Sequence, residues 1–182
     1  MQQLFEPFIK IFSISVARYF VLAGMPFLIY YIWFDHRVNP AKIQDRSASR
    51  RDFVREVFHS MQTTLVFAII GCLILNTPVK NITQVYTGFT AYPIWWLLTS
   101  VVLSLVIHDT YFYWMHRLLH HPKIFKYAHV VHHKSTVPSP WTSYSFHFLE
   151  AFTEGLVLLV ITIILPMNIL SITLFVMIGF VI

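Results

Sequence analysis

The sequence predicts an all-α protein, a polytopic transmembrane helical bundle with a histidine-rich helical segment on its cytoplasmic side. Three observations carry that prediction. Apolar residues make up 57% of the chain and charged residues only 12%, about half the usual quarter, and mean hydropathy is +0.64. The apolar residues gather into runs that can cross a hydrocarbon core of roughly 30 Å. The basic residues collect between those runs, so the net charge of +5 marks juxtamembrane loops rather than a nucleic-acid partner. Cys72 is the single cysteine and sits inside an apolar run, which excludes a disulfide framework and a cysteine-based zinc site.

The first span is expected from about Ile11 to Trp33. Its length, and the lack of a small-residue cleavage site, argue against a signal peptide. Arg18 within it must snorkel or face protein. Asp35 to Gln62 reads as a charged connector, with six Lys/Arg and an amphipathic helix at the interface from Ser47 onward. His36 and His59 stand alone there and read as structural or solvated. A second span is expected from Thr63 to Asn76, extended at its start by Phe58 to Gln62 and ended by Asn76-Thr77-Pro78. An interfacial stretch follows from Val79 to Pro93, and a third span starts at the aromatic anchor Trp95-Trp96 and continues to about Tyr113. Beyond Ala151 the chain is almost wholly apolar and reads as a helical hairpin broken at Pro166-Met167-Asn168. The returning helix is still apolar at Ile182, with no closing anchor, which suggests a C-terminally truncated chain.

Eight of the ten histidines lie between His108 and His147. His116 and His120 are four apart and share one helical face. His129, His132 and His133 repeat that convergence in a His-x-x-His-His pattern, and Pro122 separates the two groups. Two helical segments would then aim five imidazoles at a common point, and imidazole suits Fe, Zn, Cu and Ni. His108 is about 12 Å before His116 along a helix and His121 points some 100° from His120, which sets both apart from the ligand group. Asp109 either orients a ligand histidine from another helix or hydrogen-bonds Tyr113.

The run Asp109-x-x-x-Tyr113-Trp114-x-His116-Arg117-x-x-His120-His121, followed by His129-x-x-His132-His133, resembles the first two histidine boxes of the fatty acid hydroxylase superfamily, closest to its sterol desaturase branch. The resemblance divides the chain into N-terminal transmembrane helices and connector over 1–100 and the N-terminal part of a hydroxylase-like domain over 101–182. It implies an integral-membrane di-iron oxidoreductase that hydroxylates or desaturates a sterol-like or fatty-acyl C–H bond with O2. Two irons are implied, with zinc as a substitute, and a cytochrome b5-like or ferredoxin-like electron donor. The implied metal ligands are His116, His120, His129, His132, His133 and His147, with no catalytic residue beyond them. Asp109, His121 and Glu150 are the residues implied to support those ligands. His147 and Glu150 resemble the family's His-Pro-x-Glu element, with Phe148 in place of the proline. The family's third box, another His-x-x-His-His, has no counterpart after His147, so residues 1–182 alone are expected not to turn over substrate.

Lys/Arg counts of six in 35–62, four in 113–150 and one in 78–93 put the histidines on the cytoplasmic side of a multi-pass protein of a bacterial inner membrane or endoplasmic reticulum. Two non-enzymatic readings compete. A divalent-metal transporter would carry its ligands near the bilayer midplane on broken helices. A bis-histidine haem carrier needs two axial imidazoles rather than a group of five.

Overall fold

The structure is a computed structural model that describes residues 2–34 and 46–179. The expectations for Asp35, His36, Arg37, Lys42, Asp45 and Ile182 lie outside the described residues. Helix α1, Gln2–Phe27, contains Pro26 and continues as a π-helical turn, Leu28–Trp33. Proline removes a donor from the helical ladder, and the wider turn follows directly. Helix α2, Arg50–Asn76, opens on a capping box in which Ser49 and Asp52 satisfy each other's backbone N–H groups. This corrects one expectation. The charged stretch after Ser47 does not form a separate interfacial helix but is the first part of the second span, continuous through Asn76.

A 3-10 turn, Pro78–Ile82, and a two-residue strand β1, Val85–Tyr86, lead into α3, Trp96–Leu119. Two short helices follow, α4 (Pro122–Ala128) and α5 (Val130–His133), then a 3-10 turn over Pro140–Tyr144. Pro122 stands at the first turn of α4, where its missing N–H costs nothing. Helix α6, Phe148–Ile164, the strand β2, Met167–Asn168, and α7, Ile169–Ile178, form the expected hairpin. The break at Pro166 holds more structure than a bare turn: β2 pairs in parallel with β1, Asn168 Nδ2 donates to the Gly88 carbonyl at 2.7 Å, and Trp96 Nε1 donates to the Pro166 carbonyl at 2.9 Å.

The protein is therefore all-α with one minimal strand pair among the described residues. Leu4–Trp33, Arg50–Asn76 and Trp96–Leu119 are long and apolar enough to cross a membrane. The core packs α1, α2 and α6 around Tyr19, Ile70, Tyr144 and Ala151. Arg18 faces protein: it donates to the Val176 carbonyl at 3.1 Å and the Tyr144 hydroxyl at 3.2 Å. The start of α2 is tied to the loop after the histidines. Ser139 Oγ donates to the buried Glu56 carboxylate at 2.7 Å, and Tyr19 and Ser60 both donate to the Trp141 carbonyl. These buried bonds fix the loop that leads from the second histidine group back to α6.

Candidate metal centre

The last two turns of α3 carry His116 and place His120 at its C-cap, with the Nε2 atoms 3.1 Å apart. The chain then turns through His121, whose Nδ1 accepts the Lys123 N–H at 3.3 Å and so caps α4. Seven residues of α4 bring it back over the end of α3. His129 is the joint between α4 and α5. The second histidine group therefore does not sit on one continuous helix as expected; a kink at His129 turns its imidazole inward. His129 lies 4.6 Å from the His116 ring, 4.7 Å from His120, 4.7 Å from His133 and 5.5 Å from His132, between ring centroids. The five rings therefore lie beside one another, each within 5.5 Å of His129 between centroids.

His116, His120 and His129 each offer a nitrogen within 4.8 Å of the other two. Nitrogens ~2.1 Å from a shared metal stand roughly 3.0–3.4 Å apart, so the 3.1 Å spacing of the first pair already matches ligation. The chemistry of the donor set agrees. His129 is fully buried, and its Nδ1 lies 2.7 Å from Glu150 Oε1. When Glu150 is the acceptor of this contact, Nδ1 carries the proton and the Nε2 lone pair is free; that Nε2 is buried without a hydrogen-bond partner. A buried nitrogen left this way is costly unless something accepts its lone pair. Burial first, and then the neighbouring imidazoles, hold His129 and His132 below the ordinary histidine range. Both are thereby kept neutral, the form a metal requires.

The predicted supporting residues separate. Glu150 orients His129 as the carboxylate–histidine pairs of metal sites do. His121 serves as a helix cap. Asp109 reaches no ligand histidine: its side chain is 78% exposed, 3.6 Å from His108 Nδ1. His147 caps α6, accepting the Leu149 N–H at 3.2 Å, and is not drawn into the group of five. It lies instead toward His59, whose charge it opposes. His59, expected to stand alone, is partly buried with an unpartnered Nδ1. Nothing in its local sequence announces this, because α2 brings it there from 57 positions before His116. An open hollow of about 520 Å³ beside the imidazoles is lined by Phe112, Tyr113, His116 and His120.

Comparison with known proteins agrees with the geometry. The fatty acid hydroxylase family model matches residues 101–182. A Delta(7)-sterol 5(6)-desaturase of Gibberella zeae is 32% identical over 146 residues, 78% of this chain and 42% of the relative. One from Aspergillus fumigatus is 33% identical over 134 residues, 71% of this chain and 39% of the relative. Human lathosterol oxidase is 24% identical over 156 residues, 85% and 51% of the two chains. The chain thus spans about half the length of the curated relatives it matches. No solved structure matches it.

Proposed function

Because the fatty acid hydroxylase family model matches residues 101–182 and the relatives reported above are named for sterol desaturation and lathosterol oxidation, we propose that the chain is a member of that superfamily and that its imidazole cluster is part of an iron centre that oxidises a C–H bond of a membrane lipid. The observation that carries this reading is the His129–Glu150 pair, a buried ligand with its free nitrogen already aimed among four other imidazoles. The chemistry that iron supplies when bound is reduction of O2 coupled to hydroxylation or desaturation, with electrons from a cytochrome b5-like or ferredoxin-like donor. The protein's own contributions are orientation and access. Glu150 holds the His129 tautomer and ring plane. His116 and His120 present two nitrogens from one helical face, and His132 and His133 flank them from α5. Two irons are the family's complement, and zinc competes for an all-imidazole site. The relatives' names point to a sterol-like lipid.

The non-enzymatic readings fit less well. The histidines gather at the end of α3 rather than in its middle, unlike transporter ligands. Imidazoles 3.1 Å apart between nitrogens leave no room for a macrocycle between two axial ligands. The lysine and arginine asymmetry supports a cytoplasmic centre. The test joins the Gibberella zeae desaturase sequence beyond the match after Ile182, supplies ferrous iron, a reductant, 18O2 and a sterol-containing lipid extract, and reads products by mass spectrometry. Oxygen-18 incorporation or a two-dalton loss, abolished by His129→Ala, is expected. A folded, iron-loaded chimera that oxidises no lipid would overturn the reading.

A further inference from the structure

Three buried polar atoms lie where the start of α2 meets the loop after the second histidine group. They are Arg55 Nε, His59 Nδ1 and Ser135 Oγ, and none has a hydrogen-bond partner among the described residues. Arg55 and His59 are four apart, so they share a face of α2, ~6 Å from each other along its axis. Arg55 Nη2 donates to the Lys134 carbonyl at 3.3 Å, which sets that face against Lys134 and, one residue on, Ser135. Arg55 Nη1 serves Asp52 at 2.8 Å, and Nε is left over. Gln62 hydrogen-bonds the His59 ring, but not at Nδ1. The charged groups acting on His59 are His147, Arg55 and Lys134, all of them cations when charged. The nearby acids are engaged: Asp52 by Ser49 and Arg55, Glu56 Oε2 by Ser139, with Glu56 Oε1 3.9 Å from Arg55 Nη2. Donors shut away from water without an acceptor are costly, and cationic neighbours repel a metal ion and attract an anion.

An exposed apolar stripe starts at the same place. Val54 and Phe58 are 64% and 67% exposed, and Leu65, Ile69 and Leu73 carry the stripe on along α2, at steps of four or seven residues. Phe58 stands beside His59 and three residues from Arg55. We propose that the start of α2 and Lys134–Ser135 form a seat for the phosphate of a membrane phospholipid, whose acyl chains lie along that stripe. A phosphate group is negative and carries several acceptor oxygens, so one group meets the Arg55 and Ser135 donors and the Lys134 ammonium together. His59 joins them with its proton on Nδ1. Basic side chains at a membrane surface attract such headgroups. A lipid without phosphate brings neither the charge nor the oxygens, and a soluble phosphate ester leaves Val54 and Phe58 uncovered. None of the five clustered imidazoles belongs to the seat, so it goes beyond the iron-centre reading and stands or falls separately. Because Lys134 directly follows His133, the bound phosphate would brace that loop against α2.

The test titrates the full chain, metal-loaded and in detergent, and reads bound lipid by native mass spectrometry. The probes are dioleoylphosphatidylglycerol, dioleoylglycerol, which has the same chains and no phosphate, and glycerol 3-phosphate, which has the phosphate and no chains. One equivalent of the phospholipid should bind about tenfold more tightly than dioleoylglycerol, and more tightly than glycerol 3-phosphate. Lys134→Glu should remove the preference for the phospholipid over dioleoylglycerol, and because Lys134 is exposed this variant keeps the fold. His59→Leu, tested beside it, should remove the same preference from within α2. Phe58→Ser should weaken phospholipid binding through the chains alone. Equal affinity for the two dioleoyl lipids, or a preference that survives either Lys134→Glu or His59→Leu in folded protein, would overturn the proposal. So would glycerol 3-phosphate that binds as tightly as the phospholipid, since the occupant would then be a soluble phosphate.

Discussion

In the proposed iron centre Glu150 acts through one proton, the one it shares with His129. When Glu150 accepts in its 2.7 Å contact with His129 Nδ1, the tautomer held is the one whose Nε2 is free. Glu150→Gln keeps the shape but loses the charge and half of the acceptor capacity. Metal affinity should fall about 10- to 100-fold, measured by competition against a chelator, with the helical circular dichroism unchanged. Unaltered affinity would mean that the pair only packs. The two histidine groups were legible in the sequence because the spacing within each is local, i to i+4 or less; what brings them together is the turn through His121 and Pro122 and the seven residues of α4. Glu150 was legible only through resemblance to a family element. The roles of His121 and His147 as caps were not, since capping depends on where a helix starts to within one residue. His59 was invisible for a plainer reason: its neighbours are distant in sequence.

At the scale of elements, the site depends on how closely α6 approaches α2, since α6 carries Glu150. Gly155 faces Phe67 and Ile70 of α2 with no room for a Cβ. A Cβ there would fall 2.5 Å from Ile70 Cδ1 and 3.1 Å from Phe67 Cδ1, so in Gly155→Ala the Ile70 side chain must move and Phe67 must give way. Overpacking of this kind costs about 1–3 kcal/mol, and the melting temperature in detergent should drop accordingly. An unchanged melting temperature would show that the two side chains swing away freely. The spans themselves were readable from apolar runs, but their ends were not. Hydropathy fades across Arg50 to Gln62 although the helix continues, because Ser49 caps it at its true start and Glu56 is satisfied by Ser139 from a loop 83 residues away. The kink at His129 was equally hidden, since no proline or glycine marks it.

At the scale of the whole molecule, the start of α2, the two histidine groups and the loop around Trp141 all meet at one end of the bundle. The β1–β2 pair closes the other end. Sidedness then becomes a single question. In a Cys72→Ala background, cysteines at Ser47 and Lys126 should react with an impermeant maleimide from the cytoplasmic side and one at Thr87 from the opposite side. Labelling of Ser47→Cys and Lys126→Cys from different sides would break the topology.

The convergence of imidazoles as a metal site is tested most directly by iron content. The purified chain, loaded anaerobically with ferrous iron and desalted, should retain metal in the wild type and in His121→Ala, which removes a cap and no ligand. His116→Ala and His129→Ala should each lose most of it. Equal iron in all four proteins, or none in the folded wild type, would contradict the account.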